Sequence, residues 1–212
     1  MSRHPPSTRT GDETAIAGEV RVVPNAVALP EKPLEALTTH PFTFLFVGTQ
    51  GFYPNEDAVS WFCREVLPMI KARTRQPCLV RIVGRGYSPV IARLAGIDGV
   101  RVVGEVEDLE REYANADAVI VPVRTGGGMR IKVLEAFANQ RPVVTTSAAV
   151  EGIDAAQGEH FLLGDTARAF ATKCLYLMQD RDLGRKLAMN AFELVSERYA
   201  WDAVTALITS RP

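Results

Sequence analysis

The chain has 212 residues, 47% of them hydrophobic, which is enough for one or two small domains with their own core. Its 24 Lys plus Arg against 25 Asp plus Glu leave a net charge of −1, which excludes the strongly basic field of a nucleic-acid or anionic-membrane binder. Three scattered cysteines (Cys63, Cys78, Cys174) read as buried free thiols of a reducing compartment, three isolated histidines lack metal-ligand spacing, and Met1–Gly18 has no signal-peptide core; the expectation is a cytoplasmic α/β protein.

Residues 1–19, rich in Ser, Thr, Pro, Arg and Asp without periodicity, are expected to be disordered. Val20–Val23 is a short strand candidate ending at Pro24-Asn25, within a proline-punctuated linker spanning 20–41. A domain over 42–212 then begins with the apolar strand Phe42–Val47. Asn55 is the candidate cap of the next helix, whose stripe runs Val59, Phe62, Cys63, Val66 and Ile70, with a kink expected at Pro68. Leu79–Val83 is the second strand, followed by Gly84-Arg85-Gly86 and a short helix near Pro89–Ala95. Val100–Val103 is the third, leading to a helix at about Leu109–Ala116. Ala118–Val121, Pro142–Thr145 and His160–Leu163 are the fourth to sixth. Two amphipathic helices carry Phe170, Cys174 and Met178, then Leu187, Ala191 and Leu194, and a last one starts near Trp201. Asp180-Arg181-Asp182 spells a metal-binding pattern, but Asp182 reads as a helix N-cap. Strands alternating with helices predict an α/β fold with a doubly wound, Rossmann-like six-stranded parallel sheet and ligands at its carboxyl ends.

The densest chemistry lies in Pro122–Ala138, PVRTGGGMRIKVLEAFA. An apolar strand, three glycines and a helical stripe through Ile131, Leu134 and Ala138 would aim free backbone N–H groups and a helix dipole at an anion. Arg130 and Lys132 place charge where it opposes that dipole, at roughly 0.3–1 kcal/mol for each exposed cation. A bound anion would reverse this penalty. Glu135 falls at the edge of the core-facing stripe, where a carboxylate needs a partner such as a polyhydroxyl ligand or an arginine. The pattern is that of a pocket for a phosphorylated sugar or nucleotide.

FTFLFVG at 42–48, LVRIVGRG at 79–86, the run from Val100 to Thr146, VEG at 150–152, FLLGD at 161–165 and ERYAW at 197–201 occur in one order. Together they resemble the C-terminal donor-binding half of GT-B glycosyltransferases of family 4 (group 1), the bacterial exopolysaccharide type. VVPNAV at 22–27 is similar to the connector preceding that half. The resemblance implies a hexosyltransferase, retaining in outcome, that builds polysaccharide from a UDP- or GDP-linked sugar with no metal or other cofactor. It places the donor diphosphate on Gly126, Gly127, Gly128, Thr49, Arg130 and Lys132, the last two as catalytic charges. It places the ribose on Glu135 and the base on Arg85 and Val106.

The chain departs from that pattern in three ways. Relatives carry a sugar-contacting glutamate eight positions before the ribose glutamate, where this chain has Gly127. They also carry an arginine and, six positions on, a lysine after the first strand, where this chain has Thr49 and Asn55; Arg130, Lys132 and Arg124 are the candidate replacements. The acceptor-binding N-terminal domain is expected as a missing partner, in cis or as a separate subunit that carries any membrane contact, and the isolated domain is expected to be inactive. A stand-alone or degenerate nucleotide-sugar-binding module without turnover is the alternative.

Overall fold

The computed structural model describes residues 23–31, 41–126 and 130–209. The expected disordered segment and most of the linker therefore lie outside the described residues, as do Gly127, Gly128 and Met129. Val23 is not in a strand; pairing in this stretch falls to Val27, whose N–H donates to the Tyr199 carbonyl at 2.8 Å.

Six parallel strands form one sheet: β1 (Phe42–Val47), β2 (Cys78–Val83), β3 (Val100–Gly104), β4 (Ala118–Val121), β5 (Val143–Thr145) and β6 (Leu162–Leu163). Their spatial order is β3-β2-β1-β4-β5-β6, the doubly wound order expected from the alternation. β1 lies at the centre, with Phe44, Leu45 and Phe46 buried from both faces, which explains its continuous apolar run. Pro142 stays outside β5 because it has no N–H for the ladder.

Nine α-helices connect and flank the described strands: α1 (Tyr53–Trp61), α2 (Leu67–Lys71), α3 (Pro89–Ala92), α4 (Leu109–Ala114), α5 (Ile131–Ala138), α6 (Ser147–Val150), α7 (Ala167–Gln179), α8 (Arg181–Arg198) and α9 (Trp201–Thr209). α1 and α2 are joined by a π-helical turn, Phe62–Val66, in which the Leu67 N–H reaches back five residues to the Phe62 carbonyl. The expected irregularity at Pro68 takes this form. A proline ring collides with the carbonyl four residues earlier, and a wider turn just before it relieves the collision. Phe62 and Trp61 both meet Phe170 of α7 edge-on at 5.7 Å, which locks the turn into the core.

Two capping expectations are corrected. α1 starts at Tyr53 with Pro54 in its first turn, so Asn55 lies inside the helix rather than at its cap. α8 is capped by Asp180, whose carboxylate accepts from the Leu183 N–H at 2.9 Å. Asp182 sits in the first turn, paired with Arg185. Other N-termini follow the sequence: Ser88 accepts from Val90 and Ile91 N–H, and Asp108 accepts from Arg111 N–H. All three cysteines are free and buried, and burial pushes the Cys63 thiol up to about 12. No helix among the described residues is long and apolar enough to cross a membrane.

Candidate functional site

The sheet order reverses between β1 and β4, and in such a sheet the crevice opens beyond the carboxyl ends of those strands. A cleft of about 680 Å³ lies there. Its floor is two loops bonded to each other through the backbone. Gly48 N–H donates to the Val83 carbonyl at 2.9 Å, and Gln50 N–H to the Arg85 carbonyl at 2.8 Å. This contact leaves no room for a side chain at Gly84, where a Cβ would stand 1.9 Å from the Gly48 carbonyl oxygen. At Gly48 a Cβ would press on the Asn55 amide at 2.8 Å and the Lys132 ammonium at 2.9 Å. The glycines that end β1 and follow β2 thus let the floor close and let charge approach it.

Thr49, Arg85, Val106, Arg130, Lys132 and Glu135 all line this one cleft, although they come from four different loops or helices. Gly126 is described nearby with φ +97° and does not line it. Asn55, Glu105, Phe52 and Ile131 also line the cleft. Sequence reading treated Ile131 as core, but it is exposed at the start of α5, and the buried face of that helix begins with Val133 and Leu134.

Two cations at the N-terminal end of α5 behave differently. Arg130 is the N-cap residue, in an extended conformation, and its side chain makes no cap hydrogen bond. Its Nη2 instead donates to the Thr125 carbonyl at 3.1 Å and to the Gly126 carbonyl, bracing the start of the glycine loop. Lys132 reaches inward, with Nζ 2.6 Å from Asn55 Oδ1 and 4.8 Å from the centre of the Phe46 ring. Burial, followed by the neighbouring Arg130 charge, lowers its pKa to about 8 against the opposing pull of Glu135. An ammonium so desolvated gains strongly from an anion beside it.

Glu135 stands one turn further along α5. Burial raises its pKa, while Lys132 and the Tyr113 hydroxyl counter the rise. Arg124 is not available as a third cleft charge: it forks onto Asp57 at 2.7 and 3.2 Å and stacks over Trp61 at 5.0 Å. Trp61 is itself a core residue, 5% exposed. The role of Asn55 was missed because its partner Lys132 lies 77 positions away. The one signal in the sequence was its spacing, six positions after Thr49, where the resembled family carries a lysine.

Residues 41–180 match the family model described as glycosyl transferases group 1, and the chain belongs to that family. It is 25% identical over 168 residues to an uncharacterized 44.6 kDa protein in the cps region of Klebsiella pneumoniae, the match covering 76% of this chain and 43% of that protein. Among solved structures, Anabaena Alr3699/HepE in complex with UDP-glucose superposes with a TM-score of 0.62 at 17% identity, over 80% of this chain and 48% of that one. The C-terminal domain of the group 1 glycosyl transferase LpcC from Francisella tularensis gives 0.63 at 17% identity, over 82% of this chain and 96% of that one. The chain therefore spans less than half the length of the Klebsiella and Anabaena proteins, and nearly all of an isolated C-terminal domain.

Proposed function

We propose that this chain is the nucleotide-sugar donor-binding half of a glycosyltransferase that moves a sugar from a nucleoside diphosphate to a glycan or lipid-linked acceptor. The observation that carries the reading is convergence: Lys132, half-buried against Asn55, and Glu135 one turn later face a single cleft at the switch point of the sheet. A diphosphate would lie over the start of α5 and the glycine loop, met by the Lys132 ammonium and the uncapped N–H groups of the first turn. Glu135 would accept hydrogen bonds from the ribose hydroxyls, and Arg85 and Val106 would border the base. The family match and the fold shared with a UDP-glucose complex support this assignment.

The chemistry asked of the chain is electrostatic. As the bond between sugar and diphosphate breaks, negative charge collects on the departing phosphate, and Lys132 and Arg130 stabilise it from fixed positions. The reading leaves the diphosphate charge to these residues and the helix N-terminus, with no metal required. The acceptor would come from a second domain, in cis or as a separate subunit, and retention of configuration is part of the proposal.

Gly127 favours a second reading, a nucleotide-sugar-binding module without turnover, because it stands where the resembled family has the glutamate that contacts the donor sugar. Calorimetric titration with UDP, GDP and ADP tests the common element of both readings. Binding to at least one is expected, and none at millimolar nucleotide would remove the assignment. Transfer measured after adding an acceptor-type half separates the donor half from the silent module.

A further inference from the structure

Behind the donor cleft, on the far side of Glu135, lies a second cavity of about 280 Å³, lined by Tyr113, Asn139, Leu109 and residues 26–28. Glu135 and Ile131 line both spaces, so the carboxylate stands in the wall between them. Tyr113 is 1% exposed, among the largest fully buried side chains in the domain. Its hydroxyl is buried and has no hydrogen-bond partner of full geometry. A buried hydroxyl left without a partner is destabilising, and phenylalanine would fill the same space without that cost. The nearby acceptor is the Glu135 carboxyl, close enough for the two groups to shift each other's titration. Both groups line the same cavity, and no hydrogen bond is closed between them.

We propose that Tyr113 is a positioning residue for donor binding: its hydroxyl holds the Glu135 carboxylate from behind and turns its free lone pairs toward the ribose. This rests on the assignment of Glu135 to the ribose. A carboxylate offers about four lone-pair sites, enough for two ribose hydroxyls in front and the tyrosine behind. As the ribose draws the carboxylate into one orientation, the buried hydroxyl closes on it and gains its missing partner, so donor binding also satisfies Tyr113.

The test is a calorimetric cycle on Tyr113→Phe with UDP or GDP, whichever the wild type binds more tightly, and with the 2′,3′-dideoxy form of the same nucleotide. Wild type is expected to favour the ribonucleotide at least tenfold. Tyr113→Phe is expected to lose at least fivefold for the ribonucleotide and less than twofold for the dideoxy form. Equal losses for both nucleotides, or no loss for either, overturn the role of Tyr113 while leaving the nucleotide site in place. A wild type that does not distinguish the two nucleotides overturns this role together with the ribose assignment. Should Tyr113→Phe fold poorly, the wild type answers instead. The ¹³C resonance of the Tyr113 Cζ atom should move on ribonucleotide binding and stay put with the dideoxy form, and an unmoved resonance with both overturns the proposal.

Discussion

Lys132 on α5 and Asn55 on α1 meet at 2.6 Å in the lining of the cleft at the switch point of the sheet. Asn55 occupies the position where the resembled family carries a lysine, and the proposed reading takes the Lys132 ammonium, held against the Asn55 amide, as the replacement for that charge. The amide oxygen of Asn55 serves as anchor and its Nδ2 donates to the Thr49 carbonyl at 2.9 Å, so one side chain ties the cation to the loop after β1.

Because the Lys132 pKa is about 8 in the folded protein against an ordinary 10.5, its protonated form is held at a cost below pH 8. For stability the sign is clear. The penalty is fully present below pH 8 and is relieved as pH rises from 8 to 10.5, the range in which the unfolded chain still binds the proton. Binding runs the other way, since a diphosphate needs the ammonium. Nucleotide affinity should fall above pH 8 by up to about tenfold per pH unit, with proton uptake on binding near pH 8.5. Titrations in buffers of different ionisation enthalpy measure that uptake. Lys132→Met should bind more weakly and show a flat profile over the same range; a wild-type profile already flat from pH 7 to 9.5 would take Lys132 out of the site.

Gly84→Ala should destabilise the domain by about 2–4 kcal/mol, because the added methyl meets the Gly48 carbonyl, a backbone group with nowhere to retreat. In a domain of this size that is roughly a 5–15 °C drop in Tm. Gly96→Ala is the matched control: nothing lies within 4 Å of its added Cβ. Thermal melts of the two variants check the difference, and equal melting temperatures would mean the loop contact is not rigid.

The alternation of apolar runs with glycine-ended loops was enough to read a doubly wound parallel sheet from local pattern and chain connectivity, while the order of its strands is given by their pairing. Arg85 and Val106 were legible as cleft-lining positions because each sits in a loop at the carboxyl end of its strand. What sequence did not show depends on contacts between distant segments. Asn55 resembled a cap because caps and buried anchors use the same residue types, and only the position of Lys132 distinguishes them. Ile131 fitted the α5 stripe by periodicity, yet the first turn of that helix overhangs the cleft before its apolar face docks. Asp182 read as the cap of α8, and a two-residue difference in where that helix begins gives the role to Asp180.

Glu135→Gln should weaken nucleotide binding by about 1.5–3 kcal/mol, the worth of charge-assisted hydrogen bonds from the ribose, without unfolding the domain. The raised pKa of Glu135 adds a second signature. As pH falls, wild-type binding should weaken at a midpoint above the ordinary carboxylate range, because the protonated acid accepts less well from the ribose. Glu135→Gln should lack that limb. If Glu135 is instead only a structural partner of Lys132 and Tyr113, the variant will melt several degrees lower and the folded fraction will bind as well as wild type.

Sugar transfer needs donor and acceptor fixed in a near-attack arrangement, an advantage that reaches about 7–11 kcal/mol when both are held. This chain presents a cleft built on one sheet and open on its other side, so water reaches the charges that would stabilise a leaving diphosphate. Alone it should hydrolyse a nucleotide sugar slowly at most and transfer to no acceptor. With an acceptor-type half supplied, in cis or as a separate chain, the donor-half reading predicts that transfer appears and that Lys132→Met lowers kcat by at least a hundredfold. Measured transfer by the chain alone would show that it carries its own acceptor site. Silence in the presence of a matched acceptor half, with nucleotide binding intact, would assign the cleft to binding alone, and restoring the missing carboxylate through Gly127→Glu would then be the variant in which to look for activity.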